Sequence, residues 1–339
     1  MLEKNQSIPQ QHKKIIIRKK GEAAFYTPTT ETESTPEMNM NEIKEISNYL
    51  KEGYKIDDQK AVFAIGSDYV KATEKAIELD RDETTNEKGK IVSEAMELII
   101  ARFSELWFQL DGLKTAKIDD YYNKIDDVLV DVKEMKELEP RKRYGLGLDV
   151  TSNTGDVLTE KINNNIKKIL YKTIETNAYG KFSIPEASKR KAMVNFYDST
   201  KINHAGPLDV IPLVVGIDKE NMDSLLKLVY KFIQEEKISK NKVKHELLNV
   251  LKNEIFKHPC VSIFLNEMSE QLRFYLHRLA IRDVNNMSEK VSFYLEKIEL
   301  LINERNASLN NQTDNSFLIK DSVYTSTIKA LDSLTTNSL

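Results

Sequence analysis

Apolar residues recur at three- and four-residue spacing along most of the chain, the period of a helix with one buried face. Met40, Ile43, Ile46 and Leu50 form the first such stripe. Asp57 and Asp58 offer an N-cap to a second, made of Val62, Ile65, Tyr69, Ala72, Ala76 and Leu79. A polar turn over residues 82–90 leads into a long helix expected over 87–111. Its stripe is Ile91, Ala95, Leu98, Ile99, Arg102, Leu106 and Leu110, widened by Phe103, Trp107 and Phe108. A face that wide belongs to a helix touched on several sides. Gly112 reads as its terminator. A further helix is expected over 118–138, carrying Tyr121, Ile125, Val128, Leu129, Val132 and Met135 and stopping before Pro140.

The pattern breaks at PRKRYGLGLDVTSNTGD, residues 140–156, where glycines and small polar residues cluster between two helical stripes. This predicts a hinge loop. Asp156 caps the next helix, expected over 157–177, and Gly180 ends it. Pro185 stands at a first helical position. Residues 198–217 contain two prolines and read as a loop with a short helix or strand. Four helices follow over 218–236, 239–257, 260–283 and 286–305, with Asp218, Ser239 and Asn286 as caps. From 306 the chain is rich in Asn, Ser and Thr, with a weakly amphipathic segment from Phe317 to Leu334 that could dock on the body or on a neighbour.

These elements predict an all-α fold, a two-lobed helical bundle. Its parts are a disordered arm and linker (1–38), an N-terminal lobe (39–139), the hinge loop (140–156), a C-terminal lobe (157–305) and a flexible tail (306–339). The segment TPTTETESTPE, residues 27–37, has too little apolar surface to offset the entropy of ordering. No repeat of solenoid period and no alternation of strands with helices is visible.

The 339 residues carry a net charge of -3, which names no partner. One cysteine, Cys260, excludes an intramolecular disulfide. No apolar run approaches the roughly 20 residues of a membrane span, and the N-terminus has no apolar leader core. A cytoplasmic protein, or one of host cytoplasm or virion if viral, is expected.

Catalytic and metal motifs do not emerge. The five histidines, His12, His204, His245, His258 and His277, lack metal-ligand spacing. Cys260 reads as a small buried hydrophobe. Gly145, Gly147 and Gly155 follow a predicted helix, the wrong context for a phosphate loop. Asp119–Asp120 and Asp126–Asp127 read as an acidic helix face. No cofactor, small-molecule substrate or enzymatic activity is expected.

Charge distribution says more. Residues 140–204 hold twelve lysines and arginines against six acids. Lysine and arginine neutralise phosphates, and interleaved aromatics stack on unpaired bases. The expected contacts are Arg141, Lys142, Arg143, Lys168, Lys172, Lys189, Arg190 and Lys191 for phosphates, with Tyr144 and Tyr171 for bases. The sequence HKKIIIRKK, residues 12–20, supplies an assembly or partner arm through Lys13, Lys14, Ile15, Ile16, Ile17 and Arg18. The layout resembles that of helical viral nucleoproteins, without a shared motif. It implies a self-assembling homo-oligomer that binds nucleic acid, single-stranded RNA foremost. The alternative is a helical scaffold or adaptor that binds protein partners through its arm and tail.

Overall fold

The computed structural model describes residues 38–54, 87–115, 124–137, 144–170, 193–194, 208–239, 246–280, 287–308 and 316–336. The expectations for the arm, for the helix at Val62–Leu79, for Tyr121, Gly180 and Pro185, and for Asp119 and Asp120 lie outside them. Glu37–Leu339 forms one compact unit. Met38, placed above in the arm, is buried in this unit.

Helix α1 (Met40–Lys51) opens on a capping box. Asn39 Oδ1 accepts from the N–H groups of Asn41 and Glu42 at 3.0 Å each, and Glu42 Oε2 accepts from the Asn39 N–H at 3.0 Å. Its stripe Ile43, Ile46 and Leu50 packs on α2 (Glu87–Phe108). The width of the α2 stripe has its expected consequence, since Met96, Ile99, Ile100, Phe103, Trp107 and Phe108 are all buried. Trp107 Nε1 donates to the Ile255 carbonyl at 3.3 Å, which satisfies the indole in the core.

The all-α expectation is wrong: the centre of the molecule is a five-stranded mixed sheet in the order β1-β2-β3-β5-β4. Its strands are β1 (Asp111–Lys114), β2 (Asp127–Val130), β3 (Tyr144–Thr151), β4 (Met193–Val194) and β5 (Leu208–Gly216). β1, β2 and β3 run antiparallel in sequence, β5 lies parallel to β3, and β4 pairs antiparallel with the start of β5.

Three readings fail here for identifiable reasons. Where one helix is expected over 118–138, the described residues hold β2 and a short helix, α3 (Val132–Glu137). Ile125, Val128, Leu129 and Val132 do fall at helical spacing, but a strand buried on both faces is a continuous apolar run and mimics it. Gly112 sits inside β1 and terminates no helix; a Cβ there would meet the Ala101 carbonyl oxygen at 2.5 Å. The turn is made by Gln109, at φ 50.

The hinge loop of 140–156 is, over Tyr144–Thr151, a central strand. Its Gly-Leu-Gly-Leu alternation has the period of a sheet. Leu146 and Leu148 join the main core, while a Cβ on Gly145 would meet Val128 Cγ1 at 2.8 Å and one on Gly147 would meet Ile125 Cδ1 at 3.0 Å. The glycines leave room for a second, smaller core of Leu113, Ile125, Val128, Val130, Leu208 and Val210 on the other face.

After β3 the chain enters α4 (Gly155–Leu170) through Gly155, at φ 62. β5 leads through Ile217 and Asp218 into α5 (Lys219–Ser239), where Asp218 Oδ1 accepts from the Asn221 N–H at 2.9 Å. The helices α6 (Glu246–Lys257), α7 (Pro259–Leu279) and α8 (Met287–Ser308) follow; α7 and α8 lie within four residues of their expected bounds, whereas Ser239, expected to cap α6, is the last residue of α5. The tail is part of the body: α9 (Ser316–Lys320) and α10 (Ser322–Thr336) bury Leu318, Val323, Ala330 and Leu331, with α10 against α4 and α7.

α7 also closes the outer edge of β5 beyond the end of β4. Gln271 Oε1 accepts from the Val214 N–H at 3.0 Å, and Gln271 Nε2 donates to the Val214 carbonyl at 2.6 Å. One turn to either side, Glu267 Oε2 accepts from the Gly216 N–H at 2.8 Å and the Tyr275 hydroxyl donates to the Pro212 carbonyl at 2.9 Å. Side chains at i, i+4 and i+8 of one helix face thus stand in for a neighbouring strand, and Pro212 falls where no N–H is required.

Candidate functional site

The largest structural consequence of the β3–β5 pairing is at its carboxyl end. Thr151 and Gly216 are register partners, and the strands part immediately beyond them. A cavity of about 290 Å³ opens at this point. The strands contribute Val150, Thr151, Ser152, Gly216 and Ile217 to its lining. α2 contributes Lys88, Gly89, Val92, Ser93 and Met96, and α5 contributes Lys219, Met222 and Asp223. Met38, Ile43 and Phe264 complete the apolar part. The carboxyl edge of parallel strands is where open sheets flanked by helices hold their ligands, because the connecting segments diverge there and leave a crevice.

The lining divides by depth. Ile43, Met96, Ile217 and Phe264 are buried, whereas Lys88, Ser152 and Lys219 are exposed. Thr151 is buried, and its Oγ1 accepts from the Asn153 N–H at 3.1 Å, which holds the turn after β3. The floor is fixed from behind: Asp321 Oδ2 accepts from the Asp218 N–H at 3.0 Å and from Asn221 Nδ2 at 2.9 Å, tying the β5–α5 turn to the start of α10.

None of these residues is singled out by motif or composition. A signal was nevertheless present: the alternation in YGLGLDVT and the β-branched run in LDVIPLVVG, each followed by a helical stripe, mark two strand–helix units whose carboxyl ends define the rim.

Of the residues expected from the basic clusters, the structure describes Tyr144 and Lys168. Tyr144 lies on β3, half-buried, edge-on to Phe293 and Tyr294 at 6.1 and 5.7 Å, with Lys290 over its ring at 5.2 Å. Burial raises its hydroxyl above the ordinary tyrosine value, helped by nearby Glu134, Asp131 and Glu289. Lys168 is 7% exposed, with Nζ 3.5 Å from Asn165 Oδ1. Lys168 is thus buried, and Tyr144 is half-buried against aromatic and cationic neighbours. Arg141, Lys142, Arg143, Tyr171, Lys172, Lys189, Arg190 and Lys191 lie outside the described residues, as does the arm Lys13, Lys14, Ile15, Ile16, Ile17 and Arg18.

Three other polar clusters are structural in geometry. Lys114 reaches Glu97 Oε2 at 2.7 Å and Asp127 Oδ1 at 3.5 Å between α2 and the sheet. On the opposite face Lys161 meets Asp149 at 2.6 Å, and Asp126 Oδ2 accepts from the Val150 N–H at 2.7 Å. At the α6–α7 junction, Arg305 donates to the carbonyls of Phe256 and His258 and to Ser262 Oγ. There His258 Nδ1 accepts from the Cys260 N–H at 3.3 Å, so its proton resides on Nε2, which donates to Ser224 Oγ at 3.0 Å. An imidazole that donates to the hydroxyl cannot deprotonate it, and burial raises the Cys260 thiol above its ordinary value. Among the described residues no group of three or more His, Cys, Asp or Glu side chains could hold a metal ion, and no helix is long and apolar enough to cross a membrane.

The His258 arrangement carries a pH signature. Burial, with the Arg305 guanidinium nearby, depresses the imidazole from 6.5 to about 4. A folded value below the unfolded one contributes stability that is complete above pH 6.5 and is lost as pH falls through that range, by about 3 kcal/mol at most. His258→Asn retains a capping acceptor for Cys260 and does not titrate. Urea denaturation is therefore expected to show a shallower loss of stability from pH 6.5 to 4 in the variant; parallel profiles would refute the assignment.

Comparison of the chain with family models, with curated proteins and with solved structures returns no match.

Proposed function

We propose that the chain is a small-molecule-binding protein whose ligand occupies the cavity at the carboxyl ends of β3 and β5. The observation that carries this reading is the coincidence of a cavity of about 290 Å³ with the paired strand ends Thr151 and Gly216. That volume falls just below the usual range for ligand pockets, about 300–1,000 Å³, and suits a small ligand. Its mixed lining, apolar in depth and polar at the mouth, matches the pattern by which such sites combine affinity with orientation. The buried Cys260 thiol accords with a cytoplasmic setting.

Met222 lines the cavity without being fully buried, so Met222→Trp fills it with little disturbance to the core. Titration with the fluorescent probe 1-anilinonaphthalene-8-sulfonate is expected to give one saturable site in the parent. Binding should be at least roughly tenfold weaker in the variant, at unchanged thermal midpoint. Equal binding by both proteins would refute the assignment.

A second reading keeps the nucleic-acid function, with self-assembly, on one observation: the twelve cationic residues against six acids in residues 140–204. It expects nucleic acid to co-purify at low salt and to be released at high salt. A protein-like 260/280 nm absorbance ratio at low salt would dismiss it.

A further inference from the structure

We infer that the ligand of this cavity carries a small aromatic system, one ring with a short substituent or two fused rings, held against the thioethers of Met38, Met96 and Met222. This rests on the reading of the cavity as a ligand site.

Composition points there first. Sixteen residues line the cavity and three of them are methionine, against nine methionines in the 339 residues of the chain. They come from separate places, Met38 ahead of α1, Met96 on α2 and Met222 on α5, so no single helical stripe accounts for them. A thioether is polarizable, adapts its shape to what it touches, and attracts an aromatic ring. Behind them the buried Phe264 ring, tilted on Trp107 at 6.1 Å, adds an aromatic wall. Size agrees. A dry apolar cavity of about 150 Å³ takes one benzene ring. The volume here, about 290 Å³, is about twice that, enough for a second ring or a short substituent. The polar liners do not decide the matter, because several are already engaged. Lys88, Gly89 and Lys219 interact with other groups, Ser93 Oγ donates to Glu97 Oε1 at 3.4 Å, and Thr151 Oγ1 accepts from the Asn153 N–H. A wholly polar ligand would lose its hydration in the depth without replacement hydrogen bonds, so discrimination falls to the apolar lining.

The test uses the full chain with the same fluorescent probe bound, displaced by 3-phenylpropan-1-ol or by 3-cyclohexylpropan-1-ol. The two share a carbon skeleton and a hydroxyl, and the saturated compound has the larger apolar surface, so burial alone favours it. The phenyl compound is nevertheless expected to displace the probe at a concentration at least roughly threefold lower. In the triple variant Met38→Leu, Met96→Leu, Met222→Leu, which keeps volume and apolar character, that preference is expected to vanish. Thermal denaturation checks that the variant is folded. If it is not, the three single variants carry the test, and the preference must fall in at least one of them. Displacement by the cyclohexyl compound at equal or lower concentration, or a preference undiminished by the leucine substitutions, overturns the aromatic assignment while leaving the cavity reading in place. Probe binding that Met222→Trp does not weaken overturns both.

Discussion

Replacing Lys114 with methionine is expected to lower folding stability by about 3–5 kcal/mol, the usual cost of breaking a buried charge cluster from one side. The Lys114 ammonium lies 2.7 Å from Glu97, 3.5 Å from Asp127, which is 0% exposed, and 2.9 Å from the Asp126 carbonyl oxygen. Burial alone would lower the lysine pKa, but Asp127, Glu97 and Asp126 outweigh it and hold the value above the ordinary one. A raised folded value means the contribution is complete below the unfolded lysine range and is lost only as pH rises through the folded value, so it is fully present at neutral pH. The second variant of a cycle, Lys114→Met with Asp127→Asn, removes both charges and is expected to recover part of the loss. Urea denaturation measures both. A single variant within about 1 kcal/mol of the parent would show that the cluster does not hold α2 on the sheet.

Gln271→Leu is expected to cost about 2–6 kcal/mol, because it leaves both the N–H and the carbonyl of Val214 without their partner at roughly 1–3 kcal/mol each. Leucine is close in volume, so the effect reports hydrogen bonding more than packing. Hydrogen exchange provides the local reading: the Val214 amide, 0% exposed, should lose protection beyond the global change. If stability and Val214 protection both stay within experimental error of the parent, the closure of the β5 edge by α7 is wrong.

The helical half of the molecule was legible because its stripes are one-sided. Ile43, Ile46 and Leu50, or Leu225, Val229 and Phe232, announce a buried face against polar neighbours. The sheet was not, because it is covered on both faces. Asp127–Val130 is buried at every position, and Leu208–Gly216 at all but Asp209, so neither shows the alternation of a half-exposed strand. In β3 the alternation exists, but glycine occupies one face, and glycine between helices reads as a hinge until its neighbours' valines are seen filling the space. The candidate site was hidden for a related reason. Its lining comes from α1, α2, α5, α7 and two strands, and Lys88 and Lys219 are unremarkable in a chain with 50 lysines and arginines. The count of positive charges in 140–204 could not say which way each side chain points, and Lys168 faces inward.

The central claim, a ligand site at the carboxyl ends of β3 and β5, can be read from methionine methyl groups. Met38, Met96 and Met222 line the cavity, whereas Met268 and Met287 are buried elsewhere. NMR spectra of methyl-labelled methionine, recorded during titration with 1-anilinonaphthalene-8-sulfonate, are expected to show saturable shifts at Met38, Met96 and Met222, with Met268 and Met287 unmoved. Shifts absent from the three cavity methionines, or spread equally over all five, would contradict it.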